Sequence, residues 1–278
     1  MSYRKLFAVP PGSRVSLGDV DPGFAAKHKS KREAAASLAR YDKRLGELQY
    51  LLYANHSRSL LICLQGIDAS GKDGTVRHVF SRLDPLGARA HAFKTPSQEE
   101  ADHDFLWRAH LRAPAKGDVA IFNRSHYEDV LIVRVHDLVP KSVWSKRYDL
   151  INDFERNLSL AGTSILKFFL HISPKEQLRR FKKRLDDPTR QWKISEADYS
   201  ERARFKQYTA AYEEMLSKTS TPYAPWFVIP ADHKWFRNLA VSRIVVETLE
   251  SFDMRFPKSS VDIEEIRKKY HEEKTVSS

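Results

Sequence analysis

A short apolar run that leads directly into a glycine-rich turn with one lysine is the feature that most constrains this chain. Residues 60–65 read LLICLQ, and residues 66–75 read GIDASGKDGT. This order predicts a strand, a phosphate-binding loop (P-loop) and a helix whose N-terminus helps to hold an anion. Gly66 and Gly71 let the backbone approach phosphate oxygens, and Lys72 can reach them as a mobile charge. The sequence therefore predicts a protein that handles phosphoryl groups.

Two carboxylates distinguish this loop from the common pattern. A Ser or Thr that holds Mg²⁺ normally follows the lysine, but here that position is Asp73 and the nearest hydroxyl is on Thr75. Asp68 lies inside the loop, where its charge would repel phosphate unless a cation lay between them. Asp68 is therefore expected either to bind Mg²⁺ or to accept a proton from the nucleophile. The alternative interpretation is an ordinary glycine turn with Asp68 in solvent.

The composition fits an intracellular enzyme with an anionic partner. The 278 residues can form one large domain or two small ones. The lone Cys63 is expected to be a small buried hydrophobe and fits a reducing compartment. We find no apolar signal segment and no run long enough to span a membrane, so a cytoplasmic location is expected. The formal net charge of +11 favours nucleic acid, an anionic surface or a phosphate-rich substrate, without choosing among them.

Alternating apolar patterns predict an α/β fold. Strand-like runs are residues 60–65, 88–93, 119–123, 164–172 and 226–229, and helical segments include residues 30–55, 99–111, 143–161 and 234–252. This alternation favours a P-loop kinase-like, three-layer α/β/α sandwich with a mostly parallel sheet and a helical lid. The expected organisation is an N-terminal arm, irregular over residues 1–29, with its helix (1–56), a kinase domain (57–255) with a lid at about 175–205, and a C-terminal helical tail (256–278).

A dense polar cluster, NRSHYED, follows the third strand-like run. Ligands of open α/β sheets bind beyond the carboxyl ends of the strands, so this cluster is expected to face the glycine-rich loop. Asn123 stands where an aspartate often positions Mg²⁺, and Glu128 or Asp129 is therefore expected to supply the missing carboxylate. Arg124 is expected to clamp a phosphate. The His-Tyr pair at 126–127 can equally form a packed, hydrogen-bonded turn.

A basic run follows the fourth strand-like run. Residues 174–185 read PKEQLRRFKKRL, and their apolar side chains at Leu178, Phe181 and Leu185 share one helical face. The cations on the other faces stand where phosphoryl-transfer enzymes carry a lid that closes on phosphates and excludes water. The alternative interpretation is a solvated charged face.

Together these motifs resemble the polyphosphate kinase 2 family, which transfers phosphoryl groups between inorganic polyphosphate and nucleotides. The resemblance covers about residues 30–252 and rests on the loop at 66–75, FNRSHYEDV at 122–130, the lid-like run at 179–193, FLWR at 105–108 and IPADHKW at 229–235. The family tolerates Asp73 in place of the usual hydroxyl residue. The NRSHYE version, with Asn123, resembles the subgroup that accepts AMP and often ADP.

The resemblance also implies roles for individual residues. Asp68 and Lys72 correspond to the essential loop pair, and Arg124 to the phosphate-binding arginine. A divalent cation, Mg²⁺ with Mn²⁺ as an alternative, is expected at Asp68, Asn123 and Glu128. Nucleotide contacts are expected at Arg124, Tyr127, Phe105 and Arg108. Phosphate contacts are expected at Gly66, Ala69, Ser70, Gly71, Lys72, Asp73, Gly74, Thr75, Arg179 and Lys183.

The implied partners are inorganic polyphosphate, AMP or ADP, and further copies of the chain in a dimer or tetramer. Two other functions stay open at this point. An ATP-dependent nucleoside monophosphate kinase would share the sheet, loop and lid, but would need an adenine pocket for its donor. A basic nucleic-acid-binding NTPase is disfavoured, because the sequence has no RNP-like strand and no zinc-finger spacing.

Overall fold

Five parallel strands form the centre of this computed structural model, which describes residues 2–28, 30–194 and 196–276. The strands are β1 (Ser59–Gln65), β2 (Ala88–Ala92), β3 (Val119–Asn123), β4 (Thr163–His171) and β5 (Trp226–Pro230). Their order is β2-β3-β1-β4-β5. Leu64 of β1 lies opposite Asn123 of β3 and Phe168 of β4. The carboxyl end of β1 is therefore flanked by the carboxyl ends of two neighbouring strands, where a ligand site is expected.

Both faces of the sheet are covered, as is usual for parallel sheets. All seven residues of β1 are buried, and the five apolar ones alternate between two hydrophobic clusters. Leu61 and Cys63 belong to one cluster, whereas Leu60, Ile62 and Leu64 belong to the other. This period of two follows from strand geometry. The arrangement confirms the predicted three-layer α/β/α fold.

The helices that surround the sheet follow one another along the chain. They are α1 (Tyr3–Phe7), α2 (Lys31–Asn55), α3 (Lys72–Val79), α4 (Gln98–Asp102), α5 (Trp107–His110), α6 (Glu128–Val135), α7 (Lys141–Trp144), α8 (Arg147–Leu160), α9 (Pro174–Leu185), α10 (Glu196–Ala203), α11 (Phe205–Thr219), α12 (Lys234–Glu250) and α13 (Ile263–Val276). Single 3₁₀ turns occur at Leu17–Asp19 and Gln191–Lys193. Helices α2, α3 and α12 cover one face, and α6, α8 and α11 cover the other.

The predicted elements differ from the structure in three places, one of which is the helix expected at 143–161, found as α7 and α8 with a break between Trp144 and Arg147. The helix expected at 99–111 is broken into α4 and α5, because the Asp104 carboxylate accepts the backbone N–H of Leu106 at 2.9 Å and competes with a continuous helix. The N-terminal arm is not wholly irregular, since α1 is helical and Ala8 forms an antiparallel bridge with Phe227 of β5. Its apolar side chains reach the core, where Phe7 is 8% exposed.

None of the helices in residues 2–28, 30–194 and 196–276 combines the length and the apolar character that crossing a bilayer would require. The predicted lid region contains α9, the 3₁₀ turn and α10. Ser173 caps α9 by accepting the backbone N–H of Glu176 at 3.0 Å, and Pro174 opens its first turn. These are strong helix-start signals, and they place α9 directly after β4, beside the 66–75 loop.

Candidate active site

The 66–75 loop connects the central strand β1 to α3, and its shape depends on glycine. Gly66 and Gly71 have φ angles of 151° and 106°. A Cβ on Gly66 would stand 2.8 Å from the Leu170 carbonyl oxygen, and one on Gly71 would collide with the Arg237 guanidinium. Thr75 does not face a ligand, since it is buried and its hydroxyl donates to the Gly71 carbonyl at 3.2 Å. The loop therefore offers backbone, and not side-chain hydroxyls, to a bound anion.

Lys72 lies at the start of α3, and its side chain folds back onto the backbone of the loop. Its Nζ donates to the Gly66 carbonyl at 2.5 Å and to the Ile67 carbonyl at 3.5 Å. Burial, together with the nearby positive charge of Arg124, lowers the pKa of Lys72 to about 8. An anion in the loop would offset both effects, because an opposite charge favours the protonated amine.

Arg124 sits between two carboxylates just after β3. Its Nη2 lies 2.8 Å from Asp68 Oδ1, and its Nη1 lies 3.8 Å from Glu128 Oε2. The backbone N–H of Arg124 donates to the Leu64 carbonyl of β1 at 3.1 Å, with φ at 60°. Burial alone would lower the pKa of Arg124, but Glu128 and Asp68 raise it above its ordinary value. The guanidinium is therefore fixed in place and permanently charged.

Asp73 takes the position where a Ser or Thr is common, and it links three segments. Its Oδ1 accepts the Asn123 amide N–H at 2.9 Å, and its Oδ2 lies 3.2 Å from Lys193 Nζ. Burial tends to raise the pKa of Asp73, but the hydrogen bonds from Asn123 and Lys193 lower it overall. The side chain thus ties the loop to the end of β3 and to the lid region.

Two arginines from distant helices donate hydrogen bonds to backbone carbonyl groups of the 66–75 loop. Arg180 of α9 donates to the Ala69 and Ser70 carbonyls, each at 2.8 Å, and pairs with Glu176 at 2.6 Å. Arg237 of α12 donates to the Ser70 carbonyl at 3.3 Å. Burial and the positive charge of Arg180 lower the pKa of Arg237 to about 9. Sequence analysis did not single out Arg237, and it placed Arg180 only within a basic run.

A large cleft, here called the cationic cleft, opens over the loop with a volume of about 1190 Å³. Lysine and arginine side chains dominate its lining, against the carboxylates of Asp42, Asp68 and Asp73. The cations are Lys31, Lys72, Arg77, Lys94, Arg124, Arg180, Lys183, Arg184, Arg190, Lys193, Lys234 and Arg237. Such a wall attracts a polyanion and concentrates it near the loop.

A second cavity, here called the smaller pocket, shares part of its lining with the cationic cleft. Its volume is about 30 Å³, and its lining residues are Gly66, Ile67, Asp68, Arg124, Glu128, Gln177, Glu201, Phe205, Tyr208 and Tyr212. Asp68 and Arg124 line both cavities. The two residues therefore stand where a ligand in the cationic cleft would meet a ligand in the smaller pocket.

Most of the predicted site residues meet at these cavities. The cationic cleft is lined by Asp68, Ala69, Gly71, Lys72, Asp73, Gly74, Asn123, Arg124 and Lys183, and the smaller pocket adds Gly66 and Glu128. Ser70 is fully buried, and its hydroxyl has no hydrogen-bond partner within the described residues. Ser70 contributes its backbone to the loop, through the carbonyl that Arg180 and Arg237 contact.

Tyr127, Arg108 and Phe105 were expected to contact the nucleotide, but the structure does not place them at either cavity. Tyr127 is fully buried; its hydroxyl donates to Glu155 at 2.7 Å and accepts from Lys167 at 2.8 Å. Tyr127 lies three positions beyond the left-handed Arg124, and its burial matches the packed, hydrogen-bonded turn that the sequence left open as the alternative.

Arg108 and Phe105 are held by other contacts. Arg108 is 5% exposed; it donates to the Lys94 carbonyl at 2.8 Å and lies 3.6 Å from Asp129. The Phe105 ring is covered by the Arg147 guanidinium, 4.7 Å from the ring centroid. Arg108 therefore joins the segment that contains α5 to the segment after β3, and Phe105 joins it to the start of α8.

Arg179 also differs from its expected position. Its Nε and Nη2 donate to the two carboxylate oxygens of Glu176 at 2.6 and 2.8 Å, and it lines neither the cationic cleft nor the smaller pocket. The ion pair with Glu176 explains the difference, because it holds the guanidinium of Arg179 on a side chain that is 60% exposed. Arg180 and Lys183, three positions apart, face the cleft instead.

The carboxylates here can serve a cation that arrives with phosphates. Among residues 2–28, 30–194 and 196–276, no three His, Cys, Asp or Glu side chains gather into a metal cage. Mg²⁺ usually takes only one or two protein carboxylates together with substrate phosphates and water. Asp68 and Glu128, both next to Arg124, match that donor set. The amide nitrogen of Asn123 is occupied by Asp73, which leaves its carbonyl oxygen for a metal.

The fold and the cationic cleft define an enzyme class, the α/β phosphoryl-transfer enzymes. More specifically, the chain belongs to the polyphosphate kinase 2 family, whose profile matches residues 28–257. This result confirms the family predicted from the motifs.

Curated relatives and solved structures agree with this assignment. The chain is 48% identical over 263 residues to an AMP/ADP-polyphosphate phosphotransferase of Meiothermus ruber, covering 94% of this chain and 98% of the relative. It is 43% identical to an ADP-polyphosphate phosphotransferase of Rhodopseudomonas palustris, covering 92% and 93%. The crystal structure of polyphosphate kinase 2 from Arthrobacter aurescens TC1 superposes with a TM-score of 0.94 at 42% identity, covering 98% of this chain and 97% of that chain.

Proposed function

We propose that this protein transfers a phosphoryl group from inorganic polyphosphate to AMP, and also to ADP. The observation that carries the proposal is the cationic cleft, which meets the smaller pocket at Asp68 and Arg124. A linear polyanion can contact many cations along such a cleft at once, whereas a compact nucleotide contacts few. The names of the relatives in Meiothermus ruber and Rhodopseudomonas palustris support the same donor and the same acceptors.

The mechanism depends on positioning and on charge. Phosphoryl transfer involves little covalent chemistry for the protein, so holding both substrates in line and neutralising charge supply most of the catalysis. The glycine loop and Lys72 hold the donor phosphates through N–H groups and one ammonium. Arg124, fixed between Asp68 and Glu128, faces the charge that develops during transfer.

The chemistry of the attacking group distinguishes the two roles expected for Asp68, which are to bind Mg²⁺ or to accept a proton from the nucleophile. A phosphate monoester has a second pKa of about 6, so the acceptor phosphate of AMP is largely ionised at neutral pH. It needs no base to remove a proton before it attacks. Asp68 therefore orients Arg124, with which it pairs at 2.8 Å, and contributes a carboxylate to a phosphate-bound cation.

The cation we propose is Mg²⁺, with Mn²⁺ as a substitute, held by Asp68, Glu128 and the carbonyl oxygen of Asn123. When bound, it would neutralise charge between donor and acceptor phosphates. Removing divalent ions with EDTA should abolish transfer, and Mg²⁺ should restore it. The Glu128→Gln variant should need more Mg²⁺ for half-maximal rate, and an unchanged requirement would remove Glu128 from the metal site.

A comparison of donors tests the proposed function. The purified chain should phosphorylate AMP far faster with inorganic polyphosphate than with ATP. Anion-exchange chromatography of the reaction mixture measures the ADP and ATP that form. An ATP-dependent nucleoside monophosphate kinase would show the reverse preference. Equal rates with the two donors, or transfer with ATP alone, would contradict the proposal.

We also propose that the chain forms a homo-oligomer, a dimer or a tetramer. Large apolar side chains are exposed, including Leu86 at 70% and Leu160 at 82% exposure, and an interface between copies of the chain would remove such side chains from water. Light scattering on the purified chain gives the molar mass directly. A mass of about 32.2 kDa, that of one chain, would contradict the proposal.

A further inference from the structure

The loop and the end of β3 carry a carboxylate and a neutral side chain in the reverse of the common order. In the common pattern, a hydroxyl from the loop and a carboxylate from a strand end hold Mg²⁺ together. Here the loop position is Asp73 and the strand-end position is Asn123, and the Asn123 amide donates to Asp73 Oδ1 at 2.9 Å. Because the two side chains touch, this exchange keeps one carboxylate and one neutral oxygen at the same place, with the charge now on the loop.

The other candidate side chains near the loop lie elsewhere. The hydroxyl residues Ser70 and Thr75 are fully buried and do not line the cationic cleft. Of the two carboxylates expected to replace a strand-end aspartate, Glu128 lines the smaller pocket alone and Asp129 lines neither cavity. The side chain of Asp73, in contrast, lines the cationic cleft and is 64% exposed. Asp73 is therefore placed to act on a ligand in the cleft.

We propose that Asp73 supplies the carboxylate that Asn123 lacks, by accepting hydrogen bonds from the water shell of a Mg²⁺ ion that arrives with polyphosphate. This inference rests on the proposed function and adds one residue to the metal site. Mg²⁺ keeps several of its waters in proteins, and groups around the ligands tune metal affinity. A carboxylate has about four lone-pair sites, and the contacts of Asp73 with Asn123 and Lys193 use two of them. The remaining sites are available to water.

The charge of Asp73 should act with opposite sign on bare phosphate and on phosphate that carries Mg²⁺. Without the cation, a carboxylate in the cleft repels phosphate, and it also offsets the charge of Lys193, whose Nζ lies 3.2 Å from Asp73 Oδ2. With the cation present, the same carboxylate attracts the complex. A residue that only maintained the shape of the loop would affect both forms of the ligand alike. The difference between the two forms therefore reports a role toward the metal.

Calorimetric titration of tripolyphosphate, a short inorganic polyphosphate, into the full chain measures this difference. The Kd is determined once with EDTA and once with excess Mg²⁺, and the ratio of the first value to the second reports how strongly Mg²⁺ tightens binding. Asp73→Asn should lower this ratio by about tenfold, the scale of changes around metal ligands, while bare tripolyphosphate binds as tightly as before or more tightly. Adding Asn123→Asp to Asp73→Asn returns the carboxylate to the strand end and should restore most of the ratio.

Two controls isolate the carboxylate. Lys193→Met removes the cation that contacts Asp73, and it should weaken both forms of the ligand while keeping the ratio. Asp153→Asn removes a carboxylate that is 63% exposed and lines neither cavity, so both Kd values should stay near those of the parent. A ratio that falls as far in Lys193→Met as in Asp73→Asn would assign the effect to the lid contact and overturn the inference.

The titrations contain no nucleotide and measure no transfer. They therefore decide the role of Asp73 even if the chain transfers nothing from polyphosphate and the proposed function fails. The inference is overturned if the parent binds tripolyphosphate no more tightly with Mg²⁺ than with EDTA, or if Asp73→Asn, shown by circular dichroism to be folded, keeps the parent ratio. It is also overturned if the folded double variant has a ratio no higher than that of Asp73→Asn.

Discussion

The carboxylate of Asp68 lies 2.8 Å from the guanidinium of Arg124, and this ion pair stands where the cationic cleft and the smaller pocket meet. Asp68 comes from the loop after β1, and Arg124 from the turn after β3. The parallel pairing of these strands, with Leu64 opposite Asn123, places the two side chains together. Asp68 and Glu128, which lies 3.8 Å from the same guanidinium, together hold Arg124 in a fixed direction.

The first prediction concerns Arg124. The Arg124→Lys variant keeps the positive charge but loses the planar fork that can hold phosphate oxygens in two directions. Turnover should fall by about 10³-fold, the scale seen for arginines that stabilise phosphoryl transfer. Initial rates at saturating polyphosphate and AMP measure this loss. A variant that keeps a tenth or more of the parent turnover would show that Arg124 does not face the transferred group.

The second prediction concerns the pH dependence set by Lys72, whose pKa is lowered to about 8. As pH rises through about 8, the free enzyme loses this ammonium, and kcat/KM for polyphosphate should fall. Stability should change in the opposite sense. The unfolded chain keeps the proton up to the ordinary value of 10.5, so the free energy of unfolding gains from Lys72 as pH rises between the two values.

A control isolates Lys72 from a second lysine of the cationic cleft. Burial and neighbouring cations also lower the pKa of Lys234 to about 8. Lys234→Arg keeps its charge throughout this range, so a fall in kcat/KM that is centred near pH 8 and persists in this variant belongs to Lys72. A profile that becomes flat above pH 8 in Lys234→Arg would assign the fall to Lys234 instead.

Hydrophobic patterning and chain order were sufficient to predict the sheet. The strand expected at 119–123 is found at Val119–Asn123, and the run at 164–172 differs from Thr163–His171 by one residue at each end. Strand signals are local, because buried parallel strands read as continuous apolar runs. The glycine loop was equally visible, since glycine spacing and a lysine before a helix are features of a single segment.

The contacts that complete the site could not be predicted, because they join distant segments. Arg180 and Arg237 both donate to the Ser70 carbonyl, from α9 and α12. A run of basic residues does not reveal which of its side chains line the cationic cleft. Arg179 was therefore expected to contact phosphate, whereas Arg180 lines the cleft. The sequence also gave no sign that Tyr208 and Tyr212 of α11 line the smaller pocket, since helical aromatic residues at this spacing usually pack into a core.

The third prediction concerns the buried pair beneath the turn after β3. Glu155 and Lys167 are fully buried, with Lys167 Nζ 2.5 Å from Glu155 Oε2. Removing the carboxylate by Glu155→Gln leaves the lysine charge without compensation, and should lower the free energy of unfolding by about 3–5 kcal/mol. Urea titration followed by circular dichroism measures the change.

Two controls support the interpretation of that loss. Arg156→Ala removes a partner of the exposed pair with Asp153, whose side chains are 60% and 63% exposed, and should change stability little. The double variant Glu155→Leu with Lys167→Met removes both buried charges and should be more stable than Glu155→Gln alone. A double variant that is less stable than the single one would mean that the pair stabilises the fold beyond mutual charge compensation.

The last prediction separates two neighbouring cations of α9. Lys183 lines the cationic cleft, whereas Arg179 is bound by Glu176 and lines neither cavity. Polyphosphate binding releases counterions, so affinity should fall steeply with salt, with each phosphate contact adding about 0.7 to the slope of log K against log salt, as for single-stranded nucleic acids. Lys183→Ala should raise the KM for polyphosphate and reduce that slope by about this amount, while Arg179→Ala should leave both near the parent values. Kinetics at several salt concentrations, at saturating AMP, measure the slopes. Equal effects of the two substitutions would mean that the polyanion binds along the outer face of α9 and not in the cleft.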